Sequence, residues 1–210
     1  FQKSILINLK WIIQLMKNKP IILVAGEPNS IFFEILFKSL KKKKIKSPLV
    51  LICCKKLLLQ KMKIHSFKKD IKIFKINKLK NINLNNRSIN LIDVKLQNLY
   101  DKNNQYKMTK KYIVKSFNVA FQLIQSGLTH KFINGPIDKK NFLNKKFYGI
   151  TEYISEKFKI KKVAMLIYNK KLSVCPVTTH LPIKLVAKKI TKKLIEDKIE
   201  IVNSFFKKKL

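Results

Sequence analysis

Short apolar runs alternate along the chain with longer stretches in which apolar positions recur every three or four residues. The first such stretch, 1–18, sets Ile5, Leu6, Leu9, Ile12, Ile13 and Met16 on one side of a helix. It is expected to be an amphipathic N-terminal extension that docks on the core or on a partner. Ile21-Ile22-Leu23-Val24 reads as a buried strand, and the turn Gly26-Glu27-Pro28-Asn29-Ser30 follows it. Ser30 is placed to cap a helix running through Phe33, Ile35, Leu36 and Leu40. Residues 48–54 predict a second apolar strand and 55–64 a helix. Residues 71–76 alternate apolar side chains with Lys, as a half-exposed strand does. The stretch 77–105 is rich in Asn and Lys, looks least regular, and holds one strand at 89–94.

The clearest helix spans 109–126, with Val114, Phe117, Phe121 and Ile124 in one stripe, Ala120 beside it and Gly127 as its stop. Phe132-Ile133-Asn134 is a short strand entering Gly135-Pro136. Residues 163–168 and 172–177 predict two adjacent strands with a turn near Asn169. Thr191 is placed to cap a last helix carrying Leu194, Ile195, Ile199, Val202 and Phe206 on one side. Strands alternating with helices predict an α/β layered fold, and no internal repeat is visible.

Composition narrows the class. An apolar share of 46% over 210 residues supports a real core and excludes a disordered chain. No apolar run is long enough to cross a bilayer, so no membrane association by spanning is expected. The opening residues lack the pattern of a secretory signal, and a cytoplasmic location is expected. The chain opens with Phe1 rather than Met, so the natural start is expected upstream. A net charge of +36 raises the alternative of a basic nucleic-acid-binding protein. Against it, the charge is nearly all Lys spread along the chain, and Arg87 is the only Arg, the residue that base readout favours. Abundant Ile, Asn, Phe and Lys beside four Gly point to compositional drift. Cys53, Cys54 and Cys175 form no C-x-x-C pair and read as buried free thiols rather than a zinc site.

Four clusters could carry chemistry, each with a plainer alternative. The turn at 26–30 could cradle a phosphate on free amides at a helix start, or be an ordinary strand-to-helix turn. It is neither a dinucleotide fingerprint nor a Walker loop. Phe132-Ile133-Asn134-Gly135-Pro136-Ile137-Asp138-Lys139 brings Lys139 to a strand's carboxyl end, where ligands gather in open α/β sheets, although a Lys falls in most loops of this chain. In Tyr148-Gly149-Ile150-Thr151-Glu152, Thr151 could hold a phosphate or simply cap a helix. In Val177-Thr178-Thr179-His180-Leu181-Pro182, His180 could be a metal ligand or an exposed imidazole; the other two His are His65 and His130.

Taken in order, the clusters resemble the 4-hydroxythreonine-4-phosphate dehydrogenase family over roughly residues 19–210. The family's G-[DE]-P-A-G-I-G-P-E is matched by Gly26-Glu27-Pro28-Asn29-Ser30-Ile31-Phe32-Phe33-Glu34. Its T-x-P-x-x-K segment is matched by Asn134-Gly135-Pro136-Ile137-Asp138-Lys139, and G-H-T-E by Gly149-Ile150-Thr151-Glu152. Its T-T-H-[LI]-P-L is matched by Thr178-Thr179-His180-Leu181-Pro182-Ile183, the most specific of the four, with Ile190-Thr191 at the family's spacing beyond it.

The resemblance implies an α/β, two-lobed fold like that of the isocitrate and isopropylmalate dehydrogenases, truncated here. It implies an extension at 1–18, a first α/β lobe at 19–145, and the beginning of a second, dimerising and metal-binding lobe at 146–210. It further implies a homodimer that oxidises 4-phosphohydroxy-L-threonine with NAD (or NADP) and releases carbon dioxide, in pyridoxal 5'-phosphate biosynthesis. A divalent metal ion (Zn, Mg or Co) would polarise the reacting oxygen. Carried over by position, His180 matches a metal ligand, Thr151 a substrate contact, and Lys139 is a candidate for catalysis. Ile150 stands where the family has a substrate-binding His, and an alkyl side chain can neither donate nor accept a hydrogen bond. Ser30, Phe32 and Phe33 stand for Gly, Gly and Pro, which removes the first loop's close backbone approach. The family's other metal-binding His residues match neither His65 nor His130 and fall beyond Leu210. A non-catalytic remnant of the dehydrogenase is therefore a third reading.

Overall fold

The computed structural model describes residues 19–42, 45–81, 84–97, 105–143, 147, 149–169 and 171–209. The amphipathic helix expected at 1–18 lies outside the described residues. Contacts divide the chain into two compact units between Asp138 and Lys139.

The first unit is built on a five-stranded, wholly parallel sheet of order β3-β4-β2-β1-β5. The strands are β1 (Ile21–Val24), β2 (Leu49–Cys53), β3 (Ile71–Ile73), β4 (Ile89–Asp93) and β5 (Lys131–Asn134). The helices are α1 (Phe32–Lys42), α2 (Lys55–Ile64) and α3 (Gln105–Gln125). A parallel sheet has to be covered on both faces, and its inner strands then read as continuous apolar runs. Ile22 to Val24 in β1 and Val50 to Cys53 in β2 are buried without alternation. At the edge, Lys131 and Ile133 of β5 are exposed while Phe132 and Asn134 are half-buried. The right-handed rule for parallel crossovers, applied to this strand order, assigns α1 and α2 to one face and α3 to the other. Phe37 stacks on Phe67 at 4.5 Å and meets Phe33 at 6.0 Å beside the first pair of helices. Phe117 packs at 5.7 Å against Phe132 under α3.

Local chemistry closes the elements. Ser30 Oγ accepts from the Phe32 amide at 3.4 Å and donates to the Glu27 carbonyl at 2.8 Å, so Ser30 opens α1 as its sequence position predicts. Helix α2 has no cap on its own Cys54; the Asp93 carboxylate at the end of β4 accepts from the Lys55 amide at 2.8 Å instead. Within the Asn-rich stretch, Asn86 donates to the carbonyls of Ile45 and Ser47 and accepts from the Leu49 amide. Gly127, at φ +78°, ends α3.

The stripe expected on α3 is corrected by rotation: Tyr112, Ile113, Ser116, Phe117, Ala120, Phe121 and Leu123 are buried, while Val114 and Ile124 are only half-buried. The helix lies across β1 and β2 and so needs an apolar arc wider than one narrow seam.

The second unit contains α4 (Lys139–Leu143), α5 (Ile150–Lys157), α6 (Ile183–Lys189) and α7 (Lys192–Lys209). Tyr153 of α5 meets Phe142 of α4 at 5.1 Å and Phe147 at 5.5 Å. The two strands expected at 163–168 and 172–177 reduce to one antiparallel bridge between Ile167 and Val174. A lone two-stranded ribbon is marginal in water, and nothing described extends this one. Thr151 does not cap α5: Gly149 is the N-cap and Thr151 lies inside the first turn. Thr191 does cap α7, its Oγ1 accepting from the Leu194 amide at 3.2 Å. Of the apolar side chains expected together on one side of α7, Ile195 and Ile199 are exposed, while Leu194, Val202 and Phe206 are half-buried.

Candidate functional site

In the first unit, strand order reverses at β1, which pairs with β2 on one side and with β5 on the other. Ligands of open α/β sheets bind at the carboxyl ends beside such a reversal. Two glycines meet there. A Cβ on Gly26 would stand 2.3 Å from the Pro136 carbonyl oxygen, and one on Gly135 would stand 2.1 Å from the Ala25 carbonyl oxygen. The crossing is bonded on both sides: the Gly135 amide donates to Val24 O at 2.7 Å, and the Glu27 amide to Pro136 O at 2.9 Å. The Ser30 amide is also taken, by Glu27 O at 3.1 Å. Two amides of 26–30 are thus spent inside the protein, as in an ordinary strand-to-helix turn, the plainer of the two readings. A carboxylate also stands in the turn, with Glu27 Oε1 accepting from the Asp138 amide at 3.3 Å. Burial raises the Glu27 carboxyl above its ordinary value; the Asp138 amide opposes the rise and the Asp138 charge adds to it.

In the second unit, two segments far apart in sequence converge. Gly149, buried and extended, turns the chain into α5, so Ile150, Thr151 and Glu152 form its first turn. A Cβ on Gly149 would stand 2.9 Å from Glu152 Oε2 and 3.3 Å from His180 Nε2. His180 is exposed and holds a left-handed backbone at φ +57°, an uncommon conformation for a residue with a side chain. Glu152 Oε2 is out of solvent and has no hydrogen-bond partner among the described residues. Thr151 and Ile150 are half-buried beside this point. Lys139 is exposed and opens α4, which packs on α5. An open cleft of about 570 Å³ runs along α5 and includes Phe147, Glu152 and Ser155.

Sequence reasoning singled out Ile150, Thr151 and His180, and all three fall in this one neighbourhood. It missed that Glu152 Oε2 and His180 Nε2 both border the space beside Gly149. The available signal was a Gly before a helix start, which spares the space that a side chain would fill. His65 packs against Phe37 at 5.8 Å and His130 is exposed. Among the described residues no three His, Cys, Asp or Glu side chains gather closely enough to hold a metal ion. One imidazole and one carboxylate do not make a complete metal site.

The family model described as pyridoxal phosphate biosynthetic protein PdxA matches residues 44–210. A 4-hydroxythreonine-4-phosphate dehydrogenase of a Sulfurihydrogenibium species is 30% identical over 89% of this chain and 58% of its own length. The one from Aquifex aeolicus is 29% identical over 91% of this chain and 59% of its own length. The crystal structure of 4-hydroxythreonine-4-phosphate dehydrogenase from Klebsiella pneumoniae superposes with a TM-score of 0.76 at 21% identity, over 90% of this chain and 59% of that one. The chain thus spans somewhat under three-fifths of the length of these relatives, and the two-lobed α/β class implied by the sequence is the fold found. With a model match over well more than half its residues, this chain belongs to the family of the pyridoxal phosphate biosynthetic protein PdxA.

Proposed function

We propose that this chain takes part in vitamin B6 biosynthesis as a 4-hydroxythreonine-4-phosphate dehydrogenase, oxidising 4-phosphohydroxy-L-threonine. The substrate's secondary hydroxyl loses a hydride to NAD (or NADP) and a proton to solvent, giving a β-keto acid. That acid loses carbon dioxide and leaves 3-amino-2-oxopropyl phosphate. The observation that carries this reading is the meeting of His180 with the Gly149–Glu152 turn, two family segments that the fold brings to one point. In this reading Thr151 binds substrate and His180 is one donor to a divalent ion (zinc, magnesium or cobalt). Lys139 is a candidate for an anionic or proton-transferring contact. The other metal donors have to come from outside the described residues. Ile150 leaves a substrate contact unmade. A homodimer and a cytoplasmic location belong to the same proposal.

Calorimetric titration with 4-phosphohydroxy-L-threonine in the presence of zinc tests it. Thr151→Ala and His180→Ala should each weaken binding about tenfold, the size of one lost charged or buried hydrogen bond. Ile150→His should strengthen it. Absence of binding to the wild-type chain, or indifference to all three substitutions, overturns the assignment. The +36 charge supports a second reading as a polyanion binder. That reading requires affinity for RNA that falls steeply with salt, and elution from a polyanion column at low salt removes it.

A further inference from the structure

Where the chain leaves β1 and β5, segments 24–27 and 135–138 clasp each other. The Gly135 amide donates to Val24 O, and the Glu27 amide to Pro136 O. Beyond Glu27 the main chain of the turn cannot continue this pairing. Pro28 has no amide to give. The Glu27 carbonyl is taken twice by Ser30, through its amide at 3.1 Å and its hydroxyl at 2.8 Å, which uses both lone pairs. A side chain supplies the next step: Glu27 Oε1 accepts from the Asp138 amide at 3.3 Å. Burial and the like charge of Asp138 both disfavour a carboxylate here, and the Asp138 amide is what favours it. The clasp therefore reaches Asp138, and the first compact unit ends at that same residue.

We infer that Glu27 is a positioning residue: its carboxylate holds the chain through Asp138, so that the backbone is free to turn only from Lys139 onward. Helix α4 starts at Lys139, directly after the held amide. Without the carboxylate the last bonded residue of the clasp is Pro136. Two more residues would then be unrestrained, a slack of up to about 7 Å of extended chain. The bearing of this restraint on Lys139 as a contact to substrate rests on the proposed function; the restraint itself does not.

NMR relaxation and amide exchange of the 210-residue chain test this with two variants. In Glu27→Ala the order parameters of the amides at 137–139 should fall, and the Asp138 amide should exchange about fivefold faster, as for one lost hydrogen bond of ordinary strength. Order parameters in β5, from Lys131 to Asn134, should stay as they are, because the main-chain bonds of the clasp remain. Glu27→Gln keeps an oxygen to accept from the amide and should restore the wild-type values at 137–139. Three results overturn the inference: unchanged order parameters at 137–139 in Glu27→Ala, Glu27→Gln as mobile there as Glu27→Ala, or an equal loss of order in β5, which would make Glu27 a part of the general packing. No substrate, cofactor or metal enters the measurement, so its failure leaves the proposed reaction standing, and failure of substrate binding leaves the clasp standing.

Discussion

The His180 imidazole occupies space that Gly149 leaves empty: Nε2 lies 3.3 Å from the point where a Gly149 side chain would begin. Both atoms nearest that point are ends of flexible side chains, Glu152 Oε2 and His180 Nε2. Gly149→Ala should therefore cost only about 1 kcal/mol of stability, for a shifted rotamer and a poorer N-cap. It should still displace the imidazole. Chemical denaturation reads the first effect, and the side-chain resonances of His180 the second. Unmoved His180 resonances would show that the two segments do not meet in solution.

Gly26 and Gly135 make a different demand, because what they meet is backbone. A methyl group on Gly135 would stand 2.1 Å from Ala25 O and 2.7 Å from the Ala25 carbonyl carbon, and neither atom can rotate away. Gly135→Ala should cost about 3 kcal/mol or more. Gly26 and Gly127 separate collision from dihedral strain. Both hold positive φ, +75° and +78°, but Gly127 has nothing within 4 Å. Gly127→Ala should cost about 1–2 kcal/mol from the left-handed backbone alone, and Gly26→Ala clearly more. Equal losses at the two positions contradict the close crossing of β1 and β5.

Glu27 makes stability depend on pH. Burial raises its carboxyl above the ordinary 4.5. The folded state then holds a proton that the unfolded chain has already released, so this contribution is full below 4.5 and is lost as pH climbs through the folded value. Glu27→Gln keeps an oxygen to accept from the Asp138 amide and removes the titration. Urea midpoints measured from pH 4 to 7 should show a smaller fall for the variant than for the wild type. Parallel curves refute the assignment of the shift to this group.

The thiols should differ in reactivity. Cys53 and Cys54 are buried, and burial pushes the Cys53 thiol well above its ordinary range, whereas Cys175 is partly exposed. The thiolate is the reacting form. A disulfide reagent should label one thiol quickly in the native protein, and Cys175→Ser should abolish that fast phase. Rapid labelling of two or three thiols would mean that β2 opens readily.

Much of the first unit was legible because its signals are local. Ile21-Ile22-Leu23-Val24 is continuous and apolar, Ser30 stands one turn before an amphipathic run, and Gly127 follows the last apolar turn of its helix. Each feature acts within a few residues and survives into the structure. The face of α3 was less legible, because the width of a buried arc depends on which strands lie beneath it. Residues 163–168 and 172–177 show a limit of another kind. The first is a continuous apolar run and the second alternates, both patterns of strands, yet a strand exists only where a neighbour supplies hydrogen bonds, and the single bridge from Ile167 to Val174 is all that the described residues provide.

The amino-acid sequence by itself determined the alternation of strands and helices, the α/β class, and the family through four ordered motifs. These follow from short-range chemistry: side-chain periodicity, turn residues and caps. Only the tertiary structure decided that Gly26 and Gly135 interlock, that two amides of the first turn are spent inward, and that Glu152 and His180 share the space beside Gly149. Those relationships join residues far apart in the chain, and the distance between such residues is set by how the backbones pack rather than by any rule that operates within one turn.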